Sequence, residues 1–347
     1  MSVSGVELKA AVKRATTWGT AVACGADNGI LIKPHTMKKT RKEYVDDSLG
    51  TYFPQDAVNA EIDVKGNLPM YLRYDSLDLL IALAMGAVPG APMQQGATTA
   101  YAQSFTLASS LTGLFACLAQ NNTVNIDEYT SIKVTGFTIK GDVGKPLEIT
   151  FEIIGYDRIT NSTVNTSVTF GNVTYMETGN RVLFSQGVFR MNHESDVALG
   201  AGNLIYPSSF ELAFKRKMKG LYTIAGNINI DEPSNDGLPD VSMKLTFPRY
   251  TSAVEALFAD WDATTRQKMD LTFTGANIAS TYNRSFQIQL PAMQAKSADL
   301  PVKQGIMEAP LEFTALGVAA APAGMTGVTQ PFQINVVNQQ AADVLTS

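Results

Sequence analysis

RYDSLDLLIALAMG (residues 73–86) and RYTSAVEALFADWD (residues 249–262) open on the same Arg-Tyr-x-Ser and run into apolar residues at helical spacing. In the first, Leu77, Leu80, Ile81 and Ala84 share one helical face, because positions three and four apart stack on the same side. Asp75 or Ser76 is placed to accept from the orphan amides of the opening turn, and Gly86 and Pro89 end the helix. In the second, Val254, Leu257, Phe258 and Trp261 form the stripe, and Ser252 with Glu255 has capping-box spacing. Burying four or five such side chains stabilises by roughly 6–15 kcal/mol, comparable with the backbone entropy of a dozen ordered residues. Each helix therefore needs a sheet beneath it.

The repeat has a second member. Pro146-Leu147-Glu148 and Pro310-Leu311-Glu312 follow the two helices after intervening strands. Arg73 and Arg249 are 176 residues apart, Pro146 and Pro310 are 164 apart, and the order is kept. Collinear matches of this kind are the mark of an internal repeat. They predict a mainly β chain of tandem duplicated domains, each with one flanking α-helix. The expected division is residues 1–165, residues 166–320 and a C-terminal extension over 321–347, with the join in RITNSTVNTSV (158–168).

The strands are legible by their period of two. In PLEITFEIIGYD (146–157), Leu147, Ile149, Phe151 and Ile153 fall on one face and Glu148, Thr150 and Glu152 on the other, the pattern of a half-buried strand. SIKVTGFTIKGDVGK (131–145) precedes it and meets it through Gly-Asp-Val-Gly, a hairpin turn. Residues 27–55 lack a core pattern and read as a projecting arm.

Composition excludes several functions. The 347 residues carry 27 basic and 32 acidic side chains, a net charge of -5, which is no footprint of a nucleic-acid-binding surface. Two cysteines, Cys24 and Cys117, leave one possible bridge and no disulfide framework; two buried thiols are the simpler expectation. No run approaches the roughly 18 apolar residues of a membrane span, and the chain is expected to be soluble, without a membrane partner. His35 and His193 stand alone, no metal-ligand spacing occurs, and no cofactor is expected. Asp46-Asp47, Asp127-Glu128 and Asp231-Glu232 are neighbours that point apart on extended chain. The runs Lys38-Lys39-Thr40-Arg41-Lys42 and Lys215-Arg216-Lys217 read as solvated faces or subunit contacts. Nothing here assembles an enzyme.

Four stretches carry a family resemblance: WGTAVACGADNGILI (18–32), LPMYLRYDSLDLLIALAMG (68–86), EYTSIKVTGFTIKGDVGKPLEITFEIIGYD (128–157) and VLFSQGVFRMN (182–192). Together they resemble the tail tube protein, or major tail protein, of long-tailed bacteriophages. The resemblance implies β-sandwich domains whose inner sheets join between subunits into a barrel, and an arm reaching the adjacent ring. It also implies trimeric pseudo-hexameric rings for a chain with two domains, or hexamers for one with a single domain. The implied partners are further copies, the tape measure protein and linear dsDNA in the lumen, and the tail terminator and baseplate or tip proteins. The implied location is the virion tail, assembled in the bacterial host cytoplasm, with DNA delivery as the function. Glu148, Thr150, Glu152, Glu312 and Thr314 are then the candidate lumen-facing residues, and Lys38, Lys39, Arg41 and Lys42 the candidate inter-ring arm. The competing reading is a β-sandwich binding module, of the carbohydrate-binding or capsid-decorating kind.

Overall fold

A computed structural model describes residues 5–48, 52–54, 56–87, 90–175, 179–223, 228–297 and 304–346. The first half runs β1 (Lys9–Ala15), β2 (Gly29–Ile30), β3 (Lys38–Val45), β4 (Ala57–Tyr71), α1 (Asp78–Met85), β5 (Gly86–Ala87), β6 (Met93–Gln94), β7 (Tyr101–Leu107), β8 (Phe115–Asn121), β9 (Ile126–Asp142), β10 (Glu148–Gly155) and β11 (Arg158–Ile159). After α2 (Ser167–Gly171) come β12 (Gly187–His193), β13 (Leu204–Ile205), β14 (Ser209–Lys215), β15 (Met218–Lys219), β16 (Ser234–Asn235), β17 (Asp240–Phe247), α3 (Ser252–Asp262), β18 (Gln267–Ala279), β19 (Tyr282–Ser297), β20 (Ala309–Leu316) and β21 (Gln333–Asn338). The chain is mainly β, as its alternation predicts, and its ladders are antiparallel.

The two halves pair their strands in the same order. In the first, β3–β4–β10–β9 are successive neighbours; in the second, β14–β17–β20–β19 are. Likewise β2–β1–β8–β9 is matched by β13–β12–β18–β19. The irregularities recur as well. The β8 ladder slips between Ala116 and Leu118, and the β18 ladder between Gln267 and Met269. β9 passes over Thr135 between Val134 and Gly136, and β19 passes over Lys296 between Ala295 and Ser297.

Because a one-residue slip would turn every side chain to the other face, these shared bulges fix which residues correspond. Gly136 opposite Glu152 matches Ser297 opposite Glu312. Glu312 thus corresponds to Glu152, whereas the Pro-Leu-Glu match in the sequence sets it against Glu148. A turn confirms the frame at the other end: the Gly25 amide donates to Asn28 Oδ1 and the Gly200 amide to Asn203 Oδ1, each just before a two-residue strand.

The halves are welded where β9 pairs with β14, from Gly136↔Lys215 to Asp142↔Ser209. The result is one run of eight strands, β3–β4–β10–β9–β14–β17–β20–β19. It does not close into a barrel. Among the described residues β3 pairs with β4 alone, and residues 294–297 of β19 pair with β20 alone. Beneath the weld lie Phe137, Phe151, Phe214 and Phe332, all buried, with ring centroids 5.2–6.1 Å apart between neighbours. Full burial of each ring is worth about 1.5–3 kcal/mol.

α1 is buried on nearly every side, not only along its predicted stripe. Its caps also differ from the sequence expectation. Ser76 has φ 72° and caps nothing, Leu77 is the N-cap, and Asp75 instead accepts from Arg284 Nε at 2.9 Å and Asn180 Nδ2 at 3.0 Å. At the other end Gly86 takes φ 88°, a conformation that suits glycine. Pro89 lies outside the described residues. Arg216, buried, donates from Nε to Ala84 O and from Nη2 to Met85 O, a cation satisfying the last carbonyls of a helix. In α3 the N-cap is Thr251 without a side-chain bond, so Ser252 and Glu255 form no capping box. Val254 is buried, Leu257 and Phe258 are partly so, and Trp261 is 40 % exposed, outside the stripe predicted for it.

The C-terminal extension is part of the fold. β21 lies between β7 of the first half and β19 of the second. Its last residue, Asn338, donates to both carboxylate oxygens of Asp78 at 2.9 and 3.0 Å, while Gln103 Nε2 donates at 2.9 Å. Burial pushes the Asp78 carboxyl up to about 7. Unfolded Asp titrates near 4, so between about pH 4 and 7 the folded chain holds a proton that the unfolded chain has lost. The stability this supplies is full below about pH 4 and is lost as pH rises towards 7. Urea unfolding at about pH 5 and pH 8 checks this: the native chain loses more stability across the interval than Asp78→Asn does.

Candidate assembly site: a polar sheet face and two open edges

The eight-strand run has one buried and one solvent-facing side. Ile149, Ile139, Leu212, Met243 and Phe313 sit opposite one another across β10, β9, β14, β17 and β20, and all are buried. One residue along each strand, the outward side chains form a second row: Glu148, Lys140, Glu211, Lys244, Glu312. Acid and base alternate strand by strand across both halves. The next outward row is Thr150, Thr138, Ala213, Ser242, Thr314, and the one after begins Glu152, Gly136, Lys215, Asp240.

All five candidate lumen residues, Glu148, Thr150, Glu152, Glu312 and Thr314, are thus gathered on one face of one sheet. The lysines among them were invisible to a reading of single strands. Glu148 meets Lys33 at 2.5 Å, Lys140 meets Glu211 at 2.9 Å, Glu152 meets Lys215 at 3.1 Å and Glu312 meets Lys296 at 3.2 Å. Of these four pairs Lys140 and Glu211 lie directly across a ladder, where opposite charges contribute roughly 0.2–1 kcal/mol, and exposure keeps such pairs at the low end. Their main effect is to leave the face polar and close to neutral.

The arm is a hairpin of β3 and β4. Lys39 is tied to Asp157 at 2.5 Å and Lys42 to Glu61 at 3.4 Å, while Lys38 and Arg41 are exposed. Of the second basic run, Lys215 faces outward with Glu152, Lys217 pairs with Asp240, and Arg216 points inward as the cap of α1. Only knowledge of the fold could have separated the three.

The remaining chemical candidates have structural roles. Glu232 receives buried Lys133 at 2.6 Å and the Gly113 amide, Asp127 holds Arg158, and Glu128 accepts from Ser162 and Asn165. Within the predicted join over 158–168, Asn165 is buried and its side chain also accepts from the Cys24 amide, while most of the segment is exposed. Cys24 and Cys117 are buried free thiols, and burial pushes Cys24 up to about 12. His193 Nε2 lies 3.1 Å from both Asp260 oxygens, and His35 Nε2 is 3.0 Å from Gln120 Nε2, with its pKa lowered by burial. Gly144, at φ 79°, turns the β9–β10 hairpin as predicted. Among the described residues no three His, Cys, Asp or Glu side chains gather as metal ligands, and no helix is long and apolar enough to cross a membrane.

What these observations define is a structural β-sandwich protein, polar on one sheet face, with no further strand at either end of that sheet among the described residues. A family model described as phage tail tube protein matches residues 5–315. The chain belongs to that family, and is a structural protein of the virion tail. Comparison with curated proteins gives no significant match.

The weld has no room for an added methyl. A Cβ on Gly136 would stand 2.3 Å from Phe214 O, backbone that cannot yield without parting β9 from β14. Gly136→Ala is expected to lower stability by about 1–3 kcal/mol, the cost of overpacking. Chemical denaturation measures it, and an unchanged midpoint contradicts the close approach.

Proposed function

We propose that the two halves arose by tandem duplication and act as successive steps of one ring. In this reading β19 of each copy pairs with β3 of the next, repeating between chains the β9–β14 weld within the chain. Head-to-tail contacts of this type generate closed rings by rotation, and closing the sheet removes the open edges that a strand-rich monomer must otherwise protect. Two steps per chain make a ring of six steps from three chains. Stacked rings form the tail tube. The tube is assembled in the host cytoplasm around a tape measure protein, bounded by terminator and baseplate proteins, and conducts linear dsDNA.

The observation that carries this is the repeated four-strand order with one joint made and, among the described residues, no strand at its two counterparts. The polar face supports the conduit. A wall presenting unpaired lysines would bind phosphates, and affinity from six to ten such contacts changes by about 10³–10⁵ between low and moderate salt. Here each lysine named on the face stands beside a carboxylate, and hydroxyl rows lie between, so passing DNA finds little to grip.

The joint also predicts its own weak point. At the weld the Arg216 amide donates to Thr135 O at 2.7 Å. Counting from the Gly25 and Gly200 turns, Arg41 stands where Arg216 does, and Lys296 corresponds to Thr135. The ladders agree: Glu211 pairs with Lys244 and Lys244 with Glu312, while the Thr36 amide bonds Asn67 O and Asn67 pairs with Glu152. Arg41→Pro removes an amide that the β3–β4 ladder does not use, since Ile62 opposite it turns its own amide to Ile228 O. The variant is expected to keep native circular dichroism and to lose rings and tubes in electron micrographs. Tubes from a folded Arg41→Pro protein would contradict the joint.

A further inference from the structure

The halves differ in one respect that bears on assembly. Each carries a hairpin at the same place: β15 and β16 pair Met218 with Asn235, and β3 and β4 pair Glu43 with Asn59. The second-half hairpin folds down onto the first half. Trp18 Nε1 donates to Ile230 O at 3.0 Å, the Ile62 amide to Ile228 O at 2.8 Å, Asn229 Nδ2 to Tyr156 O at 3.0 Å, and Tyr222 Oη to Ile62 O at 2.9 Å. Ile230 is only 3 % exposed, and Lys133 beneath the same segment is buried against Glu232.

Among the described residues the first-half hairpin has no such seat. Tyr52 is 96 % and Phe53 73 % exposed, and Tyr44 and Val58, opposite one another on the ladder, are exposed too. Counted from either end of the hairpin, Phe53 falls within the stretch that matches 228–230. The surface on the second half that corresponds to the seat is equally bare. The loop after β12, in the place of the Trp18 loop after β1, carries Val197 at 79 % exposure. Leu238, beside the position matching Ile62, is 82 % exposed. Gln294, matching buried Lys133, is partly open.

We infer that the apolar tip of the arm, Tyr52 and Phe53, seats on Val197 and Leu238 of a second copy of this chain, across the β19–β3 joint. This rests on the ring reading above and adds a contact to it. The occupant is fixed by the seat already filled within the chain: the same hairpin, at the same step, covers the same surface. The chemistry is not copied in full. Pro239 stands near the position of Ile62 and has no amide to give, and Val197 has no indole, so the second contact is apolar where the first is hydrogen-bonded. Large exposed apolar side chains at both places are what such a contact requires.

The inference places the arm tip around the ring. Assembled tubes of Phe53→Cys/Val197→Cys treated with a short bis-maleimide test it, with each single variant as control; buried Cys24 and Cys117 give the background. The expected result is a series of linked products that stops at the number of chains in one ring. Where that pair fails to assemble, Phe53→Cys/Leu238→Cys reads the same contact. Intact tubes with no linked product overturn the inference and leave the ring reading standing. A series running beyond one ring also overturns it, because the tip then reaches an adjacent ring. Absence of rings from the native chain would instead refute the reading on which it rests.

Discussion

A strand's backbone amides and carbonyls must be paired, and at the end of a sheet they are not. That constraint organises this molecule. Within one chain it is met at the weld of β9 and β14, where Gly136 lets Phe214 O approach and four phenylalanines fill the space below. At the two outer ends the same obligation is left unmet among the described residues. Each free edge costs little in water, where solvent completes the hydrogen bonds, but it makes pairing with another chain the direction in which free energy falls.

Burial and polarity divide cleanly across the sheet because the side-chain period of a strand is two. Steps inward meet the aromatic and aliphatic core, and steps outward meet polar rows, one of them the alternating row of glutamate and lysine. Neutralisation across the face gives a long polar surface without a large potential of either sign. The C-terminal strand adds a second fastening, since β21 bridges β7 and β19 and anchors Asn338 on Asp78. The halves therefore do not behave as beads on a linker.

Much of this was legible from the sequence. The two helices, the mainly β character, the β9–β10 hairpin and the alternation in residues 146–157 all follow from local periodicity, and local periodicity survived folding. What failed was local chemistry with a long-range competitor. Asp75 is a sound cap by its type, but Arg284 and Asn180 claim it. Arg216 looks like one more surface cation, but α1 leaves two carbonyls within its reach. Glu312 was set against the wrong partner because a three-residue match carries no register, and register is fixed by bulges that only the ladders reveal. The candidate lumen residues came from the patterns of two single strands, while their lysine neighbours lie on other strands.

Hydrogen exchange at the edge of β3 is the most direct measure of the central claim. The Arg41 amide is the one to follow, first in dispersed chains and then in assembled tubes. The account predicts fast exchange in the monomer and strong protection in the tube, matching the Arg216 amide, which is protected in both. Equal, fast exchange of Arg41 in both states would show that no strand of another copy lies beside β3, and the shared wall would have to be abandoned.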